Sequence, residues 1–336
     1  MRILYIGNDL SDQSKYHSAY ATLKQNLIDE GFDVICSSSK KNQIFRLLDM
    51  IITVMIQAKK VDYILIDVFS TSAFYYAFVT SQLARIFKTK YVPILHGGNL
   101  PSRLDKSPKM SAKIFKNAFI NVSPSAYLQT AFKNKDYDSV LISNTINIKD
   151  YIFKERSQLA PNLLYVRAFA EIYNPVMAVN VLHELKNTYP KATLCMVGPD
   201  RDGTLIKVQE RIKELHLEES IIITGVLPKQ EWHQLSKNYD VFINTTNIDN
   251  TPVSLIETMA LGLPIVSTNV GGIPYLIKDK EEAFLVNPND VEQMTNAIIN
   301  LLNDKNLANK FSLKGRKKAE NMDWEVVKYQ WLKVLK

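Results

Sequence analysis

The chain has 336 residues, 46% of them hydrophobic, with 41 Lys/Arg against 34 Asp/Glu and two cysteines. That length supports two domains with sizeable cores, two cysteines exclude a disulfide-stapled mini-fold, and the longest strongly apolar run, residues 47–57, contains Asp49 and is too short to cross a bilayer. The net charge of +7 lies wholly in residues 1–150, where 19 Lys/Arg face 12 Asp/Glu; residues 151–336 balance at 22 each, so an anionic partner is expected on the first half.

In chain order, short apolar runs alternate with longer amphipathic ones. Strands are expected over residues 2–7, 33–37, 63–67, 91–95, 119–122 and 140–143, with helical spacing over 18–30, 44–59 and 72–87. The opening run reads as a first strand and not as a signal peptide. The segment 40–60 is apolar with lysines at both ends. Its apolar side is expected to be the core face of a helix on the sheet, while its basic flanks would alternatively suit an anionic membrane surface. A polar stretch over 144–162, with Pro161 near its end, separates this half from the next.

The second half repeats the plan. Strands are expected over 162–167, 192–197, 221–224, 241–244, 264–268 and 283–286, and helices over 175–187, 205–215, 253–261 and 291–303. Strand–helix alternation twice over predicts an α/β fold of two Rossmann-like, doubly wound parallel-sheet domains, over 1–150 and 151–318, with a closing segment 319–336. Ligands of such sheets bind beyond the C-terminal strand ends. Cys36 and Cys195 fall in strand-like runs of different halves and read as buried thiols.

The stretch from Asn247 to Pro274 is the most informative in the chain. After the strand that ends at Asn244, Thr251 offers an N-cap, Pro252 suits the first helical position, and Gly262 stops the helix after Leu261. The first N–H groups of that helix, around Thr251, Pro252, Val253 and Ser254, form a natural seat for a phosphate. Asp249 lies just before this seat and Glu257 in the second turn after it. Carboxylates on either side of such a seat can grip hydroxyls at both ends of a diphosphate-linked molecule, which describes a nucleotide-sugar site.

This stretch resembles the donor-binding signature of family 4 glycosyltransferases, in which two acids are separated by seven residues. The resemblance implies a GT-B fold, two domains facing a cleft, with the donor on the second and the acceptor on the first. It also implies a final helix, within 319–336, that crosses back to the first domain through Trp324, Tyr329 and Trp331. It assigns Asp249 to the donor sugar, the intervening backbone to the diphosphate and Glu257 to the ribose. Asp249 stands where the family usually has Glu. Arg167 matches the arginine that meets the diphosphate after the second domain's first strand; a guanidinium can bind two phosphate oxygens at once. The lysine usual five or six residues later is replaced by Ile172 and Tyr173, and no Lys or Arg occurs from 168 to 185. One phosphate charge must then be met by Arg201, by the helix N-terminus or by a base of the first domain.

By the same resemblance, the turns over 197–203 and 225–230, with Arg201 and Leu227, border the nucleobase without separating UDP from GDP. In the first domain, Gly7-Asn8-Asp9 follows the first strand and faces the diphosphate. His96, before two glycines, would touch the donor sugar or leaving phosphate, and 123–125 would shape the acceptor side. The implied activity is retaining, front-side transfer of a sugar from a UDP- or GDP-sugar to a glycan or lipid-linked acceptor in surface polysaccharide or glycolipid synthesis. The implied partners are donor and acceptor with an anionic membrane surface in reach, not nucleic acid. The implied location is the cytoplasm or the inner membrane face. No His/Cys cluster calls for a metal. The alternatives are a nucleotide-sugar epimerase of the same fold and a non-catalytic nucleotide-binding subunit of a glycan-assembly complex.

Overall fold

The computed structural model describes residues 1–8, 19–156 and 158–336; Asp9 and Ser18 fall outside these. Two compact units divide the chain: Met1–Thr145 with Trp324–Lys336, and Ile146–Asp323.

Among its described residues the first unit holds six parallel strands: β1 (Arg2–Ile6), β2 (Asp33–Ser37), β3 (Tyr63–Val68), β4 (Lys90–Leu95), β5 (Val122–Ser123) and β6 (Val140–Leu141), in the order β2-β1-β3-β4-β5-β6. Along β1 and β3 successive side chains enter opposite layers. Leu4, Ile6, Ile64 and Ile66 join one core, and Ile3, Tyr5, Tyr63 and Leu65 the other. Both faces are covered, which is why these strands read as continuous apolar runs. β5 begins at Val122, not at Phe119. Phe119 is half-exposed, and the Asn121 side chain is spent on the carbonyls of Phe115 (3.1 Å) and Asp138 (2.8 Å).

The second unit holds β7 (Asn162–Val166), β8 (Thr193–Val197), β9 (Ile221–Gly225), β10 (Val241–Asn244), β11 (Ile265–Thr268) and β12 (Ala283–Val286), in the order β12-β11-β10-β7-β8-β9, again all parallel. Leu163 and Tyr165 point into one core layer, Leu164 and Val166 into the other.

Three expectations need correction. The closing segment is not one helix from 319: a helix over Lys305–Glu320 ends, and a new one runs over Trp324–Leu335. The turn between them stays with the second unit, because Ile146 N–H donates to Met322 O (3.1 Å) and Ile148 N–H to the Asp323 carboxylate (3.3 Å). The last helix packs into the first unit's core through Trp324, Val327, Trp331 and Leu335, whereas Tyr329 is 67% exposed and anchors nothing there. Thirdly, the helix Gln43–Gln57 packs on the core through Arg46, Met50 and Val54 with the half-buried Leu47 beside them, while six of its large apolar side chains face outward.

Candidate active site

In the second unit β7 lies between β8 and β10, so the loops leaving β7 and β10 diverge and open a crevice at the C-terminal edge of the sheet. Arg167 is the first residue beyond β7, and Asp249 sits in the loop beyond β10. A guanidinium Nη2 of Arg167 is hydrogen-bonded and ion-paired to Asp249 Oδ2, with both side chains mostly buried. The guanidinium lies over the Tyr173 ring, 4.2 Å from its centroid, and its Nε is buried with no hydrogen-bond partner among the described residues. Burial pushes the Asp249 carboxyl upward against the pull of Arg167. Burial works against the Arg167 charge too, but Asp249 and the neighbouring tyrosines outweigh it and raise its pKa.

Ile172 and Tyr173, where the resemblance would put a lysine, have a structural task. Thr245 Oγ1 donates to the carbonyls of Tyr173 (3.0 Å) and Asn174 (2.8 Å), and Asn247 N–H donates to Ile172 O (2.8 Å). These bonds stitch the loop after β7 to the loop after β10 and hold Tyr173 against Arg167. Small residues complete the fit. A Cβ on Gly198 would lie 2.0 Å from Arg167 O, and one on Gly272 would lie 1.9 Å from Asn250 O. Gly272 N–H donates to Asp249 O (3.0 Å), so the glycine pair after β11 fixes the backbone that carries the acid.

The helix after this loop runs over Val253–Leu261. Pro252, not Thr251, occupies its N-cap, with extended backbone and no side-chain cap bond. Proline has no N–H and so suits a position outside the helical ladder; Val253 and Ser254 therefore carry the first N–H groups. Thr251 and Pro252 are buried, and Gly262 closes the helix in the left-handed region as expected.

Glu257 is buried, and its Oε1 accepts from the Tyr151 hydroxyl (2.7 Å) and from Lys229 Nζ (3.0 Å). Lys229 also lies 4.8 Å from the Tyr151 ring centroid. Burial, then Glu257, raises the Tyr151 hydroxyl far above its ordinary range, so it stays protonated and donates. His233 packs on the same ring at 4.6 Å and is pushed down to about 4, by burial first and by Lys229 second. Neither Lys229 nor Tyr151 was singled out from the sequence. The only signal for Lys229 was a lone base in the turn 225–230, and Tyr151 had none. Leu227 is half-buried against the core, and Arg201 is exposed, its backbone N–H bonded to Phe169 O (3.0 Å).

His96, Gly7 and Asn8 lie in the first unit. His96 follows β4, and its Nε2 is 3.0 Å from Asp67 Oδ1, which also accepts from the Tyr5 hydroxyl (2.9 Å). Phe69 stacks on the imidazole at 5.4 Å. Gly7 has no room for a side chain, since a Cβ would lie 2.4 Å from the Tyr20 ring. Asn8 Oδ1 accepts from Arg46 Nη1 (3.1 Å). The sequence did not point to Tyr5 or Asp67, which sit inside apolar strand runs.

Residues 148–318 match the family described as glycosyl transferases group 1. A sulfoquinovosyl transferase of Arabidopsis thaliana is 28% identical over 150 residues, covering 44% of this chain and 28% of the relative. An uncharacterized glycosyltransferase of Haemophilus influenzae is 26% identical over 211 residues, 62% of this chain and 57% of its own length. The matches thus span well under two thirds of either relative. Among solved structures, Anabaena HepE in complex with UDP and glucose aligns over 100% of this chain and 99% of its own, with a TM-score of 0.78 at 18% identity, a likeness of fold. With a parallel sheet in each unit, the acid pair Asp249 and Glu257, and a family match over half its length, the chain belongs to the group 1 glycosyl transferases and has their GT-B fold.

Proposed function

We propose that this protein is a retaining glycosyltransferase that takes a sugar from a UDP- or GDP-sugar and passes it to a hydroxyl of a glycan or lipid-linked acceptor in surface polysaccharide or glycolipid assembly. The observation that carries this reading is the Arg167–Asp249 pair at the β7/β10 divergence, followed eight residues later by Glu257 on the adjoining helix. In this reading the diphosphate meets the remaining guanidinium donors of Arg167 and the N–H groups of Val253 and Ser254. Glu257 takes the ribose hydroxyls and Asp249 a hydroxyl of the sugar. Lys229 brings a cation to the second acid and offsets the lysine absent at 172 and 173.

The chemistry then asks mainly for stabilisation of a departing diphosphate. The bond from the anomeric carbon to the phosphate oxygen breaks, and its electron pair leaves with the diphosphate. The acceptor oxygen bonds to the same face, and its proton passes to the departing phosphate oxygen. The positive charge comes from Arg167, Lys229 and the helix N-terminus, so this reading requires no metal. Titration of the purified protein with UDP and with GDP, followed by NMR of the product's anomeric configuration, tests the reading. Tight binding of one nucleotide and retained configuration are expected; no affinity for either nucleotide, or an inverted product, would overturn it.

A further inference from the structure

The helix Gln43–Gln57 turns an apolar ridge away from its own core. Ile44, Phe45, Leu48, Ile52, Met55 and Ile56 are each between 47% and 70% exposed. At 3.6 residues per turn they share an arc of roughly 120°. The inner side carries Arg46, Met50 and Val54, all buried. The two charged residues of the helix are both occupied off this arc. Arg46 donates to the carbonyls of Lys40 (2.7 Å) and Lys41 (3.1 Å), and Asp49 accepts from the Ser37 hydroxyl (3.1 Å). The Arg46 bonds fix the exposed pair Lys40 and Lys41 at the helix start, and Lys59 and Lys60 stand exposed just past its end. Asn42 caps the helix by accepting from Ile44 N–H (2.9 Å) and Phe45 N–H (3.3 Å), so the ridge is held to its first turn.

We infer that this ridge is a docking surface for an anionic lipid bilayer, the six apolar side chains entering the acyl boundary and the four lysines meeting acidic headgroups. The inference goes beyond the sugar-transfer reading and stands without it. The feature is a convex ridge of mainly aliphatic side chains bracketed by lysines. Lysine is depleted at protein–protein interfaces, whereas at a membrane surface its stem lies along apolar material with the ammonium among headgroups. The excess of +7 confined to residues 1–150 supplies the long-range attraction. Fifteen residues at 1.5 Å each span about 22 Å, short of the roughly 30 Å hydrocarbon core, so the helix lies in the interface and does not cross it.

The test is co-sedimentation of the full chain with vesicles of phosphatidylcholine alone and of phosphatidylcholine mixed with phosphatidylglycerol, at low and high salt. Strong, salt-sensitive recovery on the mixed vesicles is expected. Ile52→Gln with Ile56→Gln should lower it at least about tenfold, as should Lys40, Lys41, Lys59 and Lys60 all changed to Gln. Leu48→Trp should show a blue-shifted emission only with anionic vesicles. Melting curves and nucleotide titration of each variant report the fold and the donor site independently, so failure of docking and failure of the donor reading are told apart. No recovery on anionic vesicles would overturn the inference. So would concentration-dependent self-association that the Ile52→Gln, Ile56→Gln variant abolishes while vesicle binding is absent, which would make the ridge an interface between copies.

Discussion

The two sheets solve one problem in different ways. Each is six-stranded and parallel, and each places an acid with a nitrogen base at its C-terminal edge: Asp67 with His96 in the first unit, Asp249 with Arg167 in the second. Among the described residues of the first unit one strand, β2, lies beyond β1, and the acid is in a strand, tied to a tyrosine and an imidazole. In the second, β8 and β9 lie beyond β7, and the acid is in a loop, tied to a permanently charged guanidinium. A carboxylate inside a strand is fixed by the sheet. A carboxylate in a loop needs other supports, here Gly271, Gly272 and the stitching through Thr245 and Asn247. In the proposed reading it is the second unit's pair that exchanges partners with an incoming diphosphate.

The largest effect should follow from breaking that pair. Arg167→Ala leaves Asp249 buried without its cation and should cost about 3–5 kcal/mol of stability. It should also slow turnover by about one to two powers of ten or more, at roughly 1.4 kcal/mol each. Adding Asp249→Ala should recover most of the stability and none of the turnover. Denaturant melts and initial rates on the two variants check this, and recovery of both quantities together would reduce the pair to a structural one.

A pH dependence comes next. His233 is neutral in the folded protein down to about pH 4, and its Nε2 is buried with no partner among the described residues, so a proton there would be unmet. The unfolded chain takes up that proton near pH 6.5, so stability is full above that value and falls as the pH drops toward 4, by at most about 3 kcal/mol. Melting temperatures from pH 7.5 to 4.5 should decline less for His233→Phe than for the native chain.

Glu257→Ala should weaken nucleoside diphosphate binding by about 1.5–3 kcal/mol, the worth of a hydrogen bond to a charged group. If Lys229 acts through Glu257, Lys229→Met should add little in the Glu257→Ala background. A full additional loss, read by calorimetric titration, would instead give Lys229 its own contact with the phosphates. The smallest effect belongs to the first unit. Asp67→Asn keeps an acceptor for the Tyr5 hydroxyl and should cost about 1 kcal/mol of stability. A larger loss would show that the first unit's acid is as demanding as the second's.

Much of this was legible in the chain. A strand buried on both faces announces itself as an apolar run, which is why β10 falls where the sequence put it, and the half-buried edge strands β2 and β12 are legible because apolar side chains meet a core on each of their faces too. Gly262 marks a helix end because it adopts the left-handed region there, and the acid spacing around the helix start is a local pattern. That helix runs over 253–261 as expected, but its cap was misplaced by one residue, because a Thr-Pro pair suits both the cap and the first turn and only the backbone decides where the helix opens. The partners of Glu257 were not legible. Tyr151 and Lys229 lie 106 and 28 residues from it, and they meet because the strand order sets β10 between β7 and β11. Nor could the 40–60 segment declare its exposed face, since a helical apolar pattern is the same whether the stripe meets a core or leaves it. Local periodicity fixed what each segment is; strand order and helix rotation, which depend on contacts far apart in sequence, decided which side chains meet and which remain outside.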